Sequence, residues 1–345
     1  MDYLLTLFDE QPRHYRVIEG ILHGRRTVAT LFWGQQYGLL DWFKAMPQLS
    51  RDDFDQLLQS YAIHSLLLVD VEHSTARLTA KGIQRVRKIR GQFYQPRLGK
   101  WAWAGENSAL PVRLWLAVQA LSQLGHGVRR YVPVTSSPAE LACVRQWLRQ
   151  PFQQLRKTSY EELQSWAHDL AQVDLRLATL FIYQFPGYHQ AGWTQLTAAK
   201  NLQLESEELR LMIRDLWIGI GLHVLQERGP LADLCRPLVK KSPLNQTTQQ
   251  TLDYFRTGMA VKAIAARRHL KVSTIREHLL QAAILLPDSV NLRRLLGDQT
   301  LAQLRQRYHG TINDWQFQVP TGEDKATAFF EFRAYQILKS EEEHG

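Results

Sequence analysis

The 345-residue sequence predicts a mainly α-helical, multi-domain protein. Three observations predict it. Apolar residues recur at three- and four-residue spacing through most of the chain, which is the signature of helices with one buried face. Only one stretch, "LLVDVEHSTARL" at 67–78, offers short β-like segments, set around a polar tip. Two stretches rich in Pro, Gly and Lys, "YQPRLGKWAWAGENSALP" and "KKSPLNQTTQ", break the periodic pattern where domain boundaries would fall. The layout expected from these is a winged-helix-like domain over 1–95, a linker over 96–110, a helical middle domain over 111–240 and a helix-turn-helix domain over 244–340.

In the first block, "VIEGILHG" reads as a helix ended by Gly24, and "TVATLFWGQQYGLLDWF" continues with apolar residues at helical spacing until Pro47. "SRDDFDQLLQSYAIHSLL" restarts with Ser50 as N-cap and acids in the first turn, where they favour the positive end of the helix dipole. Leu68, Val69 and Val71, then Arg77 and Leu78, form the expected hairpin. Three helices followed by a hairpin is the order of a winged helix; a generic helical domain with a hairpin has the same order.

Next, "KGIQRVRKIRGQFYQPRLGKW" (81–101) holds seven Lys or Arg and no acid, with Phe93, Tyr94 and Trp101 interleaved. Cations neutralise phosphates and aromatics stack on unpaired bases, so Lys81, Arg85, Arg87, Lys88 and Arg90 form a candidate second nucleic-acid patch. Ile83, Val86 and Ile89 lie three apart, so an amphipathic helix with a solvated basic face accounts for the same residues. The middle region is helical and rich in Trp and Leu. "WTQLTAAKNLQLESEELRLMIRDL" has the cadence of a helix-turn-helix, but Glu205, Glu207 and Glu208 would repel phosphate, which points to a structural or protein-facing role.

The last region contains the most specific pattern. Thr248 is expected to cap a helix that buries Leu252 and Phe255 and ends at Gly258. A second helix follows with Ile264 and Ala265 inward. After the turn "HLKV", Ser273 is the expected N-cap of a third helix with Ile275 and Leu279 inward. This leaves Ser273, Thr274, Arg276 and His278 outside as candidate DNA contacts at the end that enters a major groove, with Lys262, Arg267, Arg268 and Lys271 placed for phosphates. Six Lys or Arg and no acid lie between Tyr254 and Arg276. Glu277 sits awkwardly on such a face.

These residues resemble a known module. "TLDYFRTGMAVKAIAARRHLKVSTIREHL" is similar to the helicase helix-turn-helix module at the carboxyl end of some RecQ-type DNA helicases, and the wider layout resembles the YpbB family of Firmicutes. In that resemblance "IEGILHGRRTVATLFWGQQYGLLDWFKAMPQLSRDDFDQLL" matches the family's opening segment. The resemblance implies an association with a RecQ-type helicase in DNA repair or recombination, and it supplies no catalytic residues. His269 stands where the module usually has Gly, so a positive φ there would carry modest strain.

Composition agrees with this direction. A 45% hydrophobic content excludes a disordered chain, and 42 Lys and Arg against 33 Asp and Glu give a net charge of +9, which favours a polyanionic partner. Cys143 and Cys235 lie far apart without metal-ligand spacing and read as buried reduced thiols. The amino terminus, "MDYLLTLFDEQPRH", has acids where a secretory signal would be basic, and no run of eighteen apolar residues exists. The expected localisation is cytoplasmic, with nucleoid association. The acidic tail "SEEEHG" is expected to fray. No phosphate-binding loop, zinc-protease motif, nucleophile elbow or dinucleotide fingerprint occurs. "RDDFD" coincides with a helix start, and "WIGIGLHVL" reads as helix packing. The expectation is therefore a non-enzymatic DNA-binding accessory protein for duplex or branched DNA, with no cofactor, metal or membrane. A sequence-specific transcriptional regulator and a protein-interaction scaffold are the alternatives.

Overall fold

The structure is a computed structural model that describes residues 2–322 and 324–344. It is mainly helical. In chain order the helices are α1 (Tyr15–His23), α2 (Val28–Gln36), α3 (Arg51–Ile63), α4 (Ala80–Gln92), α5 (Ala109–Gly125), α6 (Pro138–Trp147), α7 (Phe152–Val173), α8 (Leu175–Tyr183) and α9 (Gln195–Leu202). They continue with α10 (Ser206–Gln226), α11 (Pro230–Cys235), α12 (Gln246–Arg256), α13 (Val261–Arg268), α14 (Val272–Leu285), α15 (Leu292–Leu296), α16 (Asp298–Arg307) and α17 (Lys325–His344). Strands β1 (Arg13–His14), β2 (Leu67–Asp70) and β3 (Thr75–Leu78) lie in the order β1–β3–β2. The β2–β3 pair is an antiparallel hairpin that sets Leu67 opposite Leu78 and Asp70 opposite Thr75.

The chain forms two compact units: Met1–Arg13 with Asp41–Ser242, and His14–Leu40 with Pro243–Gly345. The expected first block, 1–95, is thus divided between them. In the first unit α3 begins at Ser50, whose hydroxyl accepts from the Asp53 amide at 3.1 Å, and the hairpin follows. Helices α1 and α2 belong to the other unit, so three consecutive helices and a hairpin do not make one winged-helix bundle. Thr79 starts α4 by accepting from the Gly82 amide at 3.0 Å. Gly82 is required there, since a Cβ would lie 2.1 Å from the Leu66 carbonyl oxygen.

Residues 96–110 are not a loose linker. Gly99–Ala104 form a 3-10 segment packed on α10. The buried Asp215 of α10 accepts from the Tyr94 hydroxyl at 2.8 Å and the Arg97 amide at 2.7 Å. Glu208 of α10 accepts from the Tyr94 amide at 2.8 Å and from Arg176 at 3.0 Å. Backbones meet closely here: a Cβ on Gly221 would lie 2.3 Å from the Ala104 oxygen. This accounts for the glycines of "WIGIGLHVL" by packing. The core of the unit is built on Trp166, Leu170, Phe181, Leu211 and Ile220, all buried.

The second unit joins α1 and α2 to the carboxyl-terminal helices. Gly24 takes φ 76° and ends α1, as its position predicts. The adjacent Arg26 donates to the Pro243 carbonyl, and its own carbonyl accepts from Gln281 of α14 at 2.9 Å. Gln36 donates to Ser340 at 2.6 Å, and α2 packs on α14. Glu19 is fully buried and is held by Arg16 at 2.9 Å and Arg25 at 3.2 Å, so the buried carboxylate is paired and hydrogen-bonded. The acidic end of the chain does not fray as expected: it continues α17 to His344, with Glu342 paired to Arg293 at 2.5 Å and Lys339 at 2.7 Å. Gly345 lies outside the described residues. Cys235 is buried as expected, Cys143 is half-buried, and both are free thiols.

Candidate nucleic-acid interface

Helices α12, α13 and α14 form the trihelical unit. Asn245, not Thr248, caps α12; its side chain accepts from the Thr248 amide at 2.7 Å. Both residues suit an N-cap, and the helix begins three residues earlier than the Thr248 reading placed it. Gly258 ends α12 at φ 93°. Ile264, Ala265, Ile275 and Leu279 are buried, which fixes the register of α13 on α14 as the sequence predicts. His269 does adopt the left-handed conformation, φ 53° and ψ 41°, and Leu270 then donates to the Ala265 carbonyl at 3.0 Å.

The N-cap of α14 is Lys271, not Ser273, and no side chain caps this helix; Ala260 likewise starts α13 without a side-chain cap. Amides in the first turn of a helix have no intrahelical acceptor, so these two amino termini offer donors to an incoming anion. Lys262 in the first turn of α13, and Lys271 and Ser273 at the start of α14, are exposed, as is Arg267 in the last turn of α13. Arg267 lies 5.0 Å over the Tyr254 ring, which steadies its guanidinium without neutralising it.

The other candidates are occupied within the unit. Arg268 donates to the Thr247 carbonyl and hydroxyl, both at 2.7 Å, to Gln250 at 3.2 Å and to the Thr251 hydroxyl, tying α13 to α12. His278 is half-buried and bonded through Nδ1 to the Thr251 hydroxyl at 2.8 Å. Burial, with Arg268 close by, lowers its pKa below the ordinary imidazole range, so the ring is neutral at pH 7. Arg276 donates to Thr327 of α17 at 2.8 Å and lies 4.8 Å over the Phe330 ring. Thr274 is half-buried. The eight residues expected to face DNA therefore divide: Lys262, Arg267, Lys271 and Ser273 are exposed, and the others mostly hold the helices together.

Sequence reasoning missed what flanks α14. Its outer face, at Ser273, Arg276, Glu277 and Leu280, lines a groove of about 320 Å³ with Thr27 to Ala29 of α2 and Ala326, Phe329 and Phe330 of α17. The run "AFFEFRAY" was the available signal for the α17 side. Arg294 was also missed; it donates to the Gly258 carbonyl at 2.7 Å and closes the end of α12.

On α4, Lys81, Arg85, Arg87, Lys88 and Arg90 are all exposed. Lys81 donates to the His64 carbonyl at 3.0 Å and Arg90 to the Thr6 carbonyl at 2.8 Å, so part of the patch serves the fold. The interleaved aromatics do not form a stacking platform. Tyr94 is buried on Asp215, and Phe93 packs 6.2 Å from the Tyr3 ring.

The α9–α10 turn has the expected helix-turn-helix form, with Gln203 at φ 54° and Leu204 donating to Ala199 at 2.9 Å. Its second helix is buried on Leu209, Leu211 and Met212, which fits the structural role expected of it. No helix among the described residues is long and apolar enough to cross a membrane.

Comparison with known proteins agrees on the carboxyl-terminal unit. A family described as "Helix-turn-helix domain" matches residues 247–318. The chain is also similar to "Protein YpbB" of Bacillus subtilis (strain 168), 25% identical over 280 residues, which cover 76% of this chain and 75% of that protein. No solved structure matches.

Proposed function

We propose that this protein is a non-catalytic DNA-binding accessory protein that grips the phosphate backbone through its carboxyl-terminal helix-turn-helix domain. One observation carries the reading: α13 and α14 start without side-chain caps, with exposed Lys262 in the first turn of α13 and exposed Lys271 at the N-cap of α14, and Arg267 is exposed in the last turn of α13. Amide donors and cations together are what phosphate oxygens require, and such contacts fix register without reading sequence. The groove along α14 favours this over a regulator that reads an operator. Arg276, the side chain best suited to a guanine edge, is drawn to Thr327 and Phe330 instead. That groove is apolar and aromatic, which favours protein docking as a second reading of the same unit.

The partner proposed is a RecQ-type helicase, acting in repair or recombination. Its support is the resemblance of 251–279 to the helicase module and of the whole layout to the YpbB family. The experiment is fluorescence anisotropy of the full chain on duplex, forked and single-stranded probes at two salt concentrations, with and without a RecQ-type helicase. Expected are salt-sensitive binding to duplex or fork with little sequence preference, and a further rise in anisotropy with helicase. Preference for one duplex sequence by orders of magnitude would establish the regulator instead. Absence of binding to every probe, with helicase captured all the same, would establish the scaffold.

A further inference from the structure

Three potential metal ligands converge in the first unit, outside the helix-turn-helix domain. They are Asp169 of α7, His223 in the last turn of α10, and Glu227 just after it. Nδ1 of His223 lies 3.0 Å from Oε1 of Glu227 and 3.8 Å from Oδ2 of Asp169. The three ligand atoms all lie within 4.8 Å of one another. Bonds of roughly 2.0–2.2 Å in a tetrahedral arrangement put neighbouring ligand atoms about 3.3–3.5 Å apart. The two histidine distances bracket that value, and Asp169, half exposed at 52%, has the freedom to close the remaining gap.

The surroundings hold the ligands as a metal site would need. Trp166 Nε1 donates to Oε2 of Glu227 at 2.8 Å, which leaves Oε1 turned to the histidine. The Trp166 ring also stacks on the imidazole at 6.0 Å and 15°, fixing the plane of its nitrogen lone pairs. Partners behind the ligands that set their orientation are characteristic of metal sites. His223 and Glu227 are spaced i,i+4, so one helix end presents both, and α7 supplies the third from across the helix pair. Two more carboxylates stand close by in the chain or the fold. Glu162 accepts from the Leu231 and Ala232 amides, and Asp233 pairs with Arg236 at 3.0 Å.

We propose that Asp169, His223 and Glu227 bind one divalent transition-metal ion of the Zn²⁺ type, with solvent completing the coordination. One imidazole nitrogen and two carboxylate oxygens suit such an ion better than Mg²⁺ or Ca²⁺, which favour all-oxygen sets.

The test is titration of the full, chelator-stripped chain with Zn²⁺ by calorimetry. Co²⁺ serves as a visible-absorbing substitute. Asp169→Asn and His223→Ala are compared, with far-UV circular dichroism confirming the helical fold of each. The proposal expects one Zn²⁺ per chain, affinity lowered more than 10-fold by Asp169→Asn, and loss of that site in His223→Ala. Because Asp169 is exposed, its variant reports binding even if His223→Ala unfolds. Absence of uptake by the wild-type chain overturns the proposal. So does equal uptake by wild type and folded Asp169→Asn, which would locate binding at other histidines.

Discussion

Replacing Lys262, Arg267 and Lys271 together with alanine separates phosphate binding from fold. All three are exposed, at the edge of a unit whose register is set by the buried Ile264, Ala265, Ile275 and Leu279. Each phosphate that a cation no longer neutralises reduces the slope of log K against log salt by about 0.9, so three reduce it by roughly 2.7. Over a fourfold rise in salt, from about 50 to about 200 mM, the affinity of the variant should therefore fall about 40-fold less than that of the wild type. Its binding at low salt should be weaker on every sequence alike. Fluorescence anisotropy on two unrelated duplexes over a salt series measures both quantities, and circular dichroism confirms that the helices persist. Parallel salt plots for variant and wild type would refute the interface drawn here and require another face of the protein to meet DNA.

Other expectations test the fold that presents this edge. Arg268→Ala removes four donated bonds to Thr247, Gln250 and Thr251, and should lower stability by about 1–3 kcal/mol in urea unfolding. An unchanged midpoint would return Arg268 to the DNA-facing set. Gly221→Ala puts a methyl group 2.3 Å from the Ala104 carbonyl oxygen, and should cost about 1–3 kcal/mol by the same measurement, because backbone cannot yield as a flexible side chain can. His278 has a lowered pKa in the folded state, so the unfolded chain binds the proton more readily. Its contribution is complete above the ordinary imidazole pKa of about 6.5 and diminishes as pH falls from there through the folded value. His278→Asn should weaken that acid dependence, and identical pH–stability curves for the two proteins would contradict it.

Much of the trihelical unit was legible because its signals are local. Gly258 at a positive φ, Ile264 and Ala265 against Ile275 and Leu279, and the left-handed His269 each follow from residues within one or two turns. N-caps were less legible. Asn245 and Thr248 lie three residues apart and both suit an N-cap, so propensity does not choose between them, whereas α14 starts at Lys271 against the propensity that favours Ser273 two residues on. The partnership of 14–40 with the carboxyl-terminal helices could not be read at all. The apolar Leu31 and Phe32 mark α2 for burial but do not show what buries it. The bonds that decide this, Arg26 to Pro243 and Gln36 to Ser340, join residues 217 and 304 positions apart. Residues 96–110 misled for a related reason. Their glycines read as loop residues, whereas Gly99 is needed because a Cβ there would lie 1.9 Å from the Asp41 carbonyl oxygen.

Two turns in this chain share helix-turn-helix geometry but lead into first turns of different charge. Gln203 and His269 have nearly the same backbone, φ 54° and ψ 42° against φ 53° and ψ 41°. Each is followed by a leucine whose amide reaches back to an alanine carbonyl, at 2.9 and 3.0 Å. The helices that leave these turns differ. The first turn of α10 carries Glu207 and Glu208; the latter points inward to Tyr94 and Arg176, so that end is both acidic and used by its own unit. The first turn of α14 carries no acid, its amides lack a side-chain cap, and Lys271 and Ser273 face solvent. A phosphate approaching α10 meets the carboxylates of its first turn, whereas at α14 it meets amides and the Lys271 ammonium with no acid in the first turn. The charge of the first turn, not its capping, distinguishes the two sites: neither Glu205 nor Lys271 makes a side-chain cap bond, and the charge is set by residues 205–208 and 271–274.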